Sequence, residues 1–395
     1  MWTFIKDTGL QIGGKIISIS IALVTTAVLT RKLGSQTYGN FSLIGSILLL
    51  VDAIADLGTR TIGVREASKK EASKVFINIF YLRTFLSLIA FIVGLFLVVF
   101  YGAFEGVRLE ALISLLMLYL TSWAGNLEIV LQTKLRFDWK TIVDILFPLF
   151  FLISLFLGGG SSLKIIFVYY LIARLLSLII GWWKVRKWVD WKQKFDKKLL
   201  IKLLRESWPM GLFLIVSASY DKAIDSTMIR HFLGVEQVAW YALAYKVYGS
   251  LVMPAYFLMT SVFPVLSRKN NRYQKVYKQA LLILLLMLVV GVPLIYYLAP
   301  IAIDILGGSD FGASIRVLRI LILALVISYI NHLNGFGLIS RGKQRQMLKI
   351  SVMALVVNMA LNWWTIPLLG IDGAGWTTVA TEAFSGVLMW KAGRS

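Results

Sequence analysis

Long apolar runs dominate the sequence and limit the folds that the chain can adopt. Roughly a dozen of them, each about 18–26 residues long, follow one another through the 395 residues. About 20 consecutive apolar residues suffice for an α-helix to cross the hydrocarbon core of a bilayer. The composition agrees, because 58% of the residues are hydrophobic and only 15% are charged. The sequence therefore predicts an all-α integral membrane protein.

We expect about twelve transmembrane helices, separated by short polar loops. In lipid, every backbone N–H and C=O group must find a partner within the protein, and a helix meets this requirement within one segment. The alternating pattern of a membrane β-strand does not recur in the sequence. The expected spans are residues 8–30, 39–58, 76–101, 110–132, 141–157, 163–183, 207–229, 239–265, 279–305, 314–338, 348–369 and 374–390.

Lys and Arg residues are concentrated in alternate loops, which predicts the orientation of the chain. Outside the expected spans, roughly 29 of them lie on one side of the membrane and roughly 4 on the other. Because basic loops stay in the cytoplasm, we expect both termini to lie on the cytoplasmic side of the inner membrane. The net charge of +21 thus reflects topology and attraction to anionic membrane lipids. Nucleic acid is not an expected partner, since the charge is spread over several loops.

The longest polar interruption divides the chain into two halves of six expected spans. It predicts an N-terminal six-helix bundle at 1–183, a cytoplasmic amphipathic linker at 184–206 and a C-terminal six-helix bundle at 207–395. The halves echo each other, since Leu33-Gly34 ends the first span and Leu233-Gly234 ends the seventh. With six spans each, the bundles would be related by a pseudo-twofold axis along the membrane normal. Transporters built from such repeats bind substrate between them, so we expect a central cavity there.

Several segments carry a recognisable pattern over nearly the whole chain. They are residues 29–43, 56–60 with 65–66, 225–244, 263–267 and 358–375. Together these segments resemble the polysaccharide flippases of the multidrug/oligosaccharidyl-lipid/polysaccharide exporter superfamily. Twelve spans fit this branch better than the lipid II flippases, which usually have fourteen.

The resemblance implies a flippase for lipid-linked oligosaccharides of the O-antigen type. Such a protein moves polyprenyl-pyrophosphate-linked repeat units from the cytoplasmic to the outer leaflet by alternating access. The units feed surface polysaccharides such as O-antigen, a part of lipopolysaccharide. The expected partners are the lipid-linked oligosaccharide and membrane lipids, with a polysaccharide polymerase and its chain-length machinery as further candidates.

Basic residues within the expected spans are the candidate substrate-binding groups. A Lys or Arg at the bilayer centre costs about 2.5–3.5 kcal/mol on insertion scales, so it needs a partner or a water-filled cavity. A pyrophosphate carrier must offer cations along its path, and Lys and Arg bind phosphate as a point charge and as a bidentate fork. The alternative is that each cation forms a structural pair with a neighbouring carboxylate. The candidates are Lys15, Arg174, Lys222 and Lys246, with Arg83 and Arg319 as further ones.

Acidic residues within the spans are nearly as numerous as the basic ones. Residues four apart lie on one face of a helix, so Asp52 and Asp56 share a face, as do Asp221 and Asp225. Asp52, Asp221 and Asp225 are candidates for coupling to a proton or sodium ion or for gating, and a structural role for Asp225 stays open. The full acidic set is Asp52, Asp56, Glu128, Asp144, Asp221, Asp225 and Glu382.

Other functions have weaker support in the sequence. A cation-coupled multidrug exporter of the same superfamily is the main alternative. It predicts an acidic site with few buried lysines, and the six basic candidates within the spans argue against it. A membrane-embedded glycosyltransferase or polymerase usually carries a large catalytic loop, whereas the outer loops here have about ten residues or fewer. The chain has no Cys, only two His and no nucleotide-binding loop. We therefore expect no enzymatic activity, no cofactor and no metal centre.

Overall fold

The computed structural model describes residues 2–69, 72–158, 162–219, 223–266 and 273–394, excepting the side chains of residues 2–8 and 264. These residues form fourteen α-helices and short 3-10 turns, and they contain no strand. The helices are α1 (Trp2–Asp56), α2 (Thr59–Ala67), α3 (Ala72–Phe100), α4 (Arg108–Leu115), α5 (Met117–Thr133), α6 (Phe137–Leu157), α7 (Leu163–Val185), α8 (Lys197–Ala218), α9 (Ile224–Phe232), α10 (Val235–Leu266), α11 (Tyr273–Gly307), α12 (Ala313–Ser340), α13 (Gln344–Leu369) and α14 (Ile371–Arg394).

The prediction of an all-α, multi-pass membrane protein is confirmed. Among the described residues, eight helical stretches are long and apolar enough to cross a bilayer, and the first covers the region of two expected spans. Helices α3, α6, α7 and α10–α14 each correspond to one expected span. The fourth expected span is divided into α4 and α5 at Leu116, and the seventh ends within α9.

Helix α1 contains a sharp change of direction at Gly34. Its φ of 68° and ψ of 175° are non-helical, and positive φ is readily adopted only by glycine. A straight helix of 55 residues would be about 80 Å long, far more than the hydrocarbon core of about 30 Å. The kink therefore separates two membrane-crossing parts within what is otherwise continuous helix, where the sequence predicted a loop.

The chain divides into two compact units, and the division differs from the predicted boundaries. Unit 1 comprises Met1–Leu33 and Ile44–Ala218, and unit 2 comprises Gly34–Leu43 and Ser219–Ser395. Helix α8 was expected to lie partly in the linker and partly in the second bundle, yet all of it packs in unit 1 against α2 and α3.

Close packing and apolar burial hold α8 in unit 1. Added at Gly58, a Cβ would lie 2.7 Å from the Cβ of Met210 and 2.9 Å from the backbone nitrogen of Gly211. Leu203 of α8 and Val189 of the expected linker are buried in the apolar core of unit 1. The segment after α7 is therefore part of a packed core and not only a surface connection.

In unit 2, the buried helix α12 occupies the centre. It packs against α10, α11, α13 and α14. Large side chains such as Tyr241 and Phe311 are fully buried around it. Both units thus offer interior positions at which polar side chains are shielded from lipid.

Candidate functional site

A buried arginine lies at the centre of a polar network in unit 1. The guanidinium of Arg83 is only 1% exposed; its Nη1 donates to Asp56 Oδ1 and, at 2.9 Å, to Thr59 Oγ1. Its Nε donates to the backbone oxygen of Ser122 at 3.0 Å. Gly125 provides the space, because a Cβ there would lie 2.5 Å from Arg83 Nη2. Arg83 therefore bonds to groups of its own unit, which favours a structural ion pair over substrate binding for this residue.

A second arginine, Arg60, joins this network although the expected spans leave it in a loop. Leu57 and Gly58 have positive φ, and this turn begins α2 immediately beside the end of α1. Arg60 Nη1 then pairs with Glu128 Oε2 at 3.2 Å, and its Nε lies 4.0 Å from Asp56 Oδ2. In the sequence, the one indication of this contact was that Arg60 follows Asp56 by four positions, a spacing at which side chains can meet.

The remaining unit 1 candidates lie around this network. Asp52 accepts a hydrogen bond from Thr121 Oγ1 at 2.7 Å, one helical turn before Asp56. The half-buried guanidinium of Arg174 stacks over the ring of Phe147 at 5.0 Å, and its Nε has no acceptor among the described residues. Arg174 interacts electrostatically with Glu128 and Asp52.

Lys15 occupies a different environment from Arg83. Its side chain is exposed on α1, in a membrane-crossing part of the helix, and it interacts electrostatically with Asp144. Asp144 Oδ2 in turn accepts from Lys140 Nζ at 2.7 Å. Contact with lipid is costly for an ammonium group, so Lys15 is a candidate for contact with water or an anion.

In unit 2, the buried Asp225 accepts hydrogen bonds from a tyrosine and an asparagine. Its carboxylate is 1% exposed and accepts from Tyr241 Oη at 2.5 Å and from Asn362 Nδ2 at 2.6 Å. Asn362 Nδ2 also donates to Asn358 Oδ1 at 3.1 Å, and Thr378 Oγ1 lies 3.5 Å from Tyr241 Oη. Asn362 Oδ1 is buried without a partner among the described residues. Five side chains from α9, α10, α13 and α14 thus bring oxygen atoms together.

The other unit 2 candidates are more dispersed. Lys246 is exposed on α10, and Arg319 is half-buried on α12 with its guanidinium 4.7 Å from the ring centre of Tyr296. Glu382 Oε2 accepts from Asn331 Nδ2 at 2.6 Å. Asp221 and Lys222 lie outside the described residues.

The oxygen atoms around Asp225 differ from a metal centre built from carboxylates or histidines. No group of three or more His, Cys, Asp or Glu side chains that could hold a metal occurs in the part of the chain that the structure describes. The Asp225 group instead combines one carboxylate with amide and hydroxyl oxygens, ligands that suit hard cations. The sequence indicated Asp225 and quoted Asn358 and Asn362, but it could not indicate that Tyr241 and Thr378 join them.

Solved structures with the same fold define the class of protein. The lipid II flippase MurJ, in an inward closed conformation, matches with a TM-score of 0.82 at 15% identity, over 98% of this chain and 87% of that one. An inward-facing multidrug resistance MATE family transporter of the MOP superfamily matches with a TM-score of 0.76 at 15% identity, over 98% and 97%. A MOP superfamily transporter from Pyrococcus furiosus matches with a TM-score of 0.69 at 15% identity, over 98% and 95%. The chain has the fold of the MOP superfamily transporters.

The sequence itself identifies the family. The family model described as polysaccharide biosynthesis protein matches residues 4–270, about two thirds of the chain. The chain belongs to this polysaccharide biosynthesis protein family. The MatE family model also matches residues 209–364. No curated protein matches the sequence.

Proposed function

We propose that the protein is a flippase for polyprenyl-pyrophosphate-linked oligosaccharides, acting in surface polysaccharide biosynthesis. The family match over residues 4–270 carries this proposal, because it connects the chain to polysaccharide biosynthesis. The fold, which is that of a lipid II flippase, supports a lipid-linked substrate. Transporters built from two repeats work by alternating access, and we propose that this protein moves its substrate from the cytoplasmic to the outer leaflet in this way. O-antigen-type repeat units are the proposed substrate, and a polymerase with its chain-length machinery would receive them.

We propose that the protein lies in the inner membrane, with both termini on the cytoplasmic side. Roughly 29 basic residues on one side against roughly 4 on the other support it.

Cations at exposed positions on membrane helices are the proposed phosphate ligands. Lys15 and Lys246 are exposed, and Arg174 retains a buried Nε donor without an acceptor among the described residues. A pyrophosphate group would bring negative charge to these side chains within the membrane. Lys222 belongs to the same proposed set on the strength of its sequence position, and Arg319 does so because its buried Nε, like that of Arg174, has no acceptor among the described residues. Arg83 is bonded to Asp56, Thr59 and Ser122, which favours a structural role.

Coupling to an ion gradient is proposed for Asp225. Its carboxylate, with the oxygens of Asn358, Asn362 and Thr378, offers a hard cation or a proton a site shielded from lipid. Asp52, whose carboxylate accepts from Thr121, and Asp221 are the other proposed coupling or gating residues.

Transport in proteoliposomes tests the flippase directly. We expect the purified protein to move a fluorescent polyprenyl-pyrophosphate oligosaccharide across the bilayer, and Lys246→Ala to slow the initial rate about tenfold, the factor for losing one charge-assisted hydrogen bond. Lys349→Ala is the matched control, because Lys349 is an exposed lysine near the start of α13, and its rate should equal that of the native chain. Equal rates for both variants would remove Lys246 from the substrate path, and no protein-dependent movement would reject the proposal.

A cation-coupled multidrug exporter is the second candidate. The MatE match over residues 209–364 and the MATE-like fold favour it. Efflux of an organic cation driven by a pH or sodium gradient, in vesicles that do not move the oligosaccharide, would select this function.

A further inference from the structure

One end of unit 2 contains a cavity of about 180 Å³. It lies where α11 begins and where α12 and α14 end, the side proposed to face the cytoplasm. Its polar and aromatic lining consists of Tyr273, Tyr277, Asn334, Arg341, Trp390 and Arg394. Gly337 keeps it open, since a Cβ there would lie 3.1 Å from the Tyr273 hydroxyl oxygen.

The cavity and its surroundings carry positive charge without compensating carboxylates. No Asp or Glu is among the described residues that line it. The described segments that meet at this end, 273–281, 339–350 and 383–394, contain two, four and two Lys or Arg residues respectively and no acidic residue. In unit 1, some basic residues have carboxylate partners, as Lys74 has Asp196. An anion is therefore the ligand class that this end of unit 2 can attract.

Contacts within the lining orient one of its two guanidinium groups. Arg341 donates from Nη1 to the backbone oxygen of Gly393 at 2.8 Å and from Nη2 to Tyr273 Oη at 2.7 Å, and its Cζ lies 4.6 Å from the Tyr273 ring centre. These contacts leave its Nε and the second hydrogen of each Nη available for a ligand.

The second guanidinium group and an amide provide further donors. Arg394 stacks on Trp390, with its Cζ 3.6 Å from the ring centre. Tyr277 Oη donates to Asn334 Oδ1 at 2.7 Å, which turns the amide of Asn334 so that Nδ2 remains a donor. Two arginine side chains and an amide therefore line one cavity of about 180 Å³, a donor set that suits a phosphate group.

The surroundings of the cavity indicate where the phosphate comes from. Trp390 and Val387, on the last turns of α14, are about half exposed and would contact lipid. Trp residues concentrate at the membrane–water interface, where lipid headgroups lie. The cytoplasmic leaflet carries anionic lipids that attract basic segments next to membrane helices. We propose that this cavity binds the phosphate of an anionic phospholipid of the cytoplasmic leaflet. The proposal rests on the proposed orientation but not on the transported substrate.

Lipid binding in detergent tests the site. Native mass spectrometry would titrate the full-length protein with phosphatidylglycerol, with phosphatidylcholine as the zwitterionic comparison and inorganic phosphate as a competitor. We expect a first phosphatidylglycerol that binds more tightly than phosphatidylcholine. Arg394→Gln should weaken it about fivefold, the contribution of one basic residue at an anionic surface, and Arg341→Gln should weaken it further.

Lys391→Gln is the matched control, because it removes the same charge from an exposed position on α14 that does not line the cavity. Equal weakening by Lys391→Gln and Arg394→Gln would reveal a diffuse basic surface and overturn the site. Displacement of the lipid by millimolar inorganic phosphate would show a site for soluble phosphate and overturn the assignment to lipid. If Arg341→Gln fails to fold, Tyr273→Phe replaces it, because it removes a contact of the same guanidinium group without removing charge. Unaltered phosphatidylglycerol affinity in both Tyr273→Phe and Arg394→Gln would also reject the proposal.

Discussion

The two units shield charge from lipid in different ways. In unit 1, the buried guanidinium of Arg83 meets the carboxylate of Asp56, and the half-buried Arg60 meets Glu128. In unit 2, the buried carboxylate of Asp225 is held by the hydroxyl of Tyr241 and the amide of Asn362. An ion pair neutralises both partners and suits a fixed structural role. Hydroxyl and amide donors bring no net charge of their own, so they do not take the place of a proton or a cation at the Asp225 carboxylate.

Basic residues accumulate at one end of each unit. In unit 1, Lys202 and Lys69 both contact Glu66, and Arg65 contacts Glu206. Others there lie against aromatic rings, as Lys184 does over Trp139. In unit 2, Arg341 and Arg394 likewise lie against tyrosine and tryptophan rings. Unit 1 thus combines ion pairs with aromatic contacts, whereas these two arginines of unit 2 have aromatic contacts and line a cavity.

The largest expected effect comes from breaking the unit 1 ion pair. Asp56→Ala leaves the buried guanidinium of Arg83 without its carboxylate, and losing one partner of a buried pair costs about 3–5 kcal/mol of unfolding free energy. Denaturant unfolding of the detergent-solubilised protein would measure it. The control is Asp138→Ala, because Asp138 forms an exposed pair with Arg136, for which about 0–1 kcal/mol is expected. Similar losses in the two variants would contradict the central place of the Asp56–Arg83 pair.

A smaller effect is expected when the Asp225 carboxylate loses a neutral donor. Tyr241→Phe removes the hydroxyl that donates to Asp225, and a hydrogen bond to a charged group contributes about 1.5–3 kcal/mol. Tyr329→Phe is the matched control, since the Tyr329 hydroxyl donates to the uncharged backbone oxygen of Leu251 at 2.9 Å and should contribute about 0.5–1.5 kcal/mol. The same unfolding assay compares them. A cost for Tyr329→Phe as large as that for Tyr241→Phe would argue that Asp225 is uncharged in the folded protein.

The smallest effect concerns an exposed ion pair of unit 1 and its pH dependence. The ammonium group of Lys74, 2.9 Å away, lowers the pKa of Asp196 below its ordinary value. A carboxyl group whose pKa is depressed by folding stabilises the protein above its unfolded pKa of about 3.9, and this stabilisation is lost as pH falls through the lower folded value. We expect the native chain to lose slightly more stability than Asp196→Asn between about pH 5 and pH 3, as followed by thermal unfolding. Lys74→Gln should reduce the difference without abolishing it, because the backbone N–H groups of Lys198 and Leu199 also donate to Asp196. An undiminished difference would assign the effect to groups other than Lys74.

The sequence predicted the membrane fold well because the signal for a span is local. Whether a segment enters the bilayer depends on the summed transfer free energy of about 20 neighbouring residues, which can be read from the sequence directly. The same local reasoning indicated that Arg83, Asp56 and Asp225 are charges that need shielding. It was wrong about the structure of residues 31–38, since the helix continues on both sides of the kink at Gly34.

The site could be predicted only in part because ion-pair partners are chosen by tertiary contacts. Arg60 and Glu128 are 68 positions apart, and they meet because the turn at Leu57 and Gly58 directs α2 towards α5. Helix α8 follows the polar interruption in sequence, yet its packing against Gly58 places it in unit 1.

The sequence by itself determined that this is a multi-pass helical membrane protein with charges that cannot face lipid, because both properties follow from the transfer of individual residues from water to hydrocarbon. The tertiary structure alone decided which charges pair within unit 1 and which side chains surround Asp225 and Arg341 in unit 2. Electrostatic and hydrogen-bonding energies depend on distances of a few ångströms between residues far apart in sequence, and only folding sets those distances.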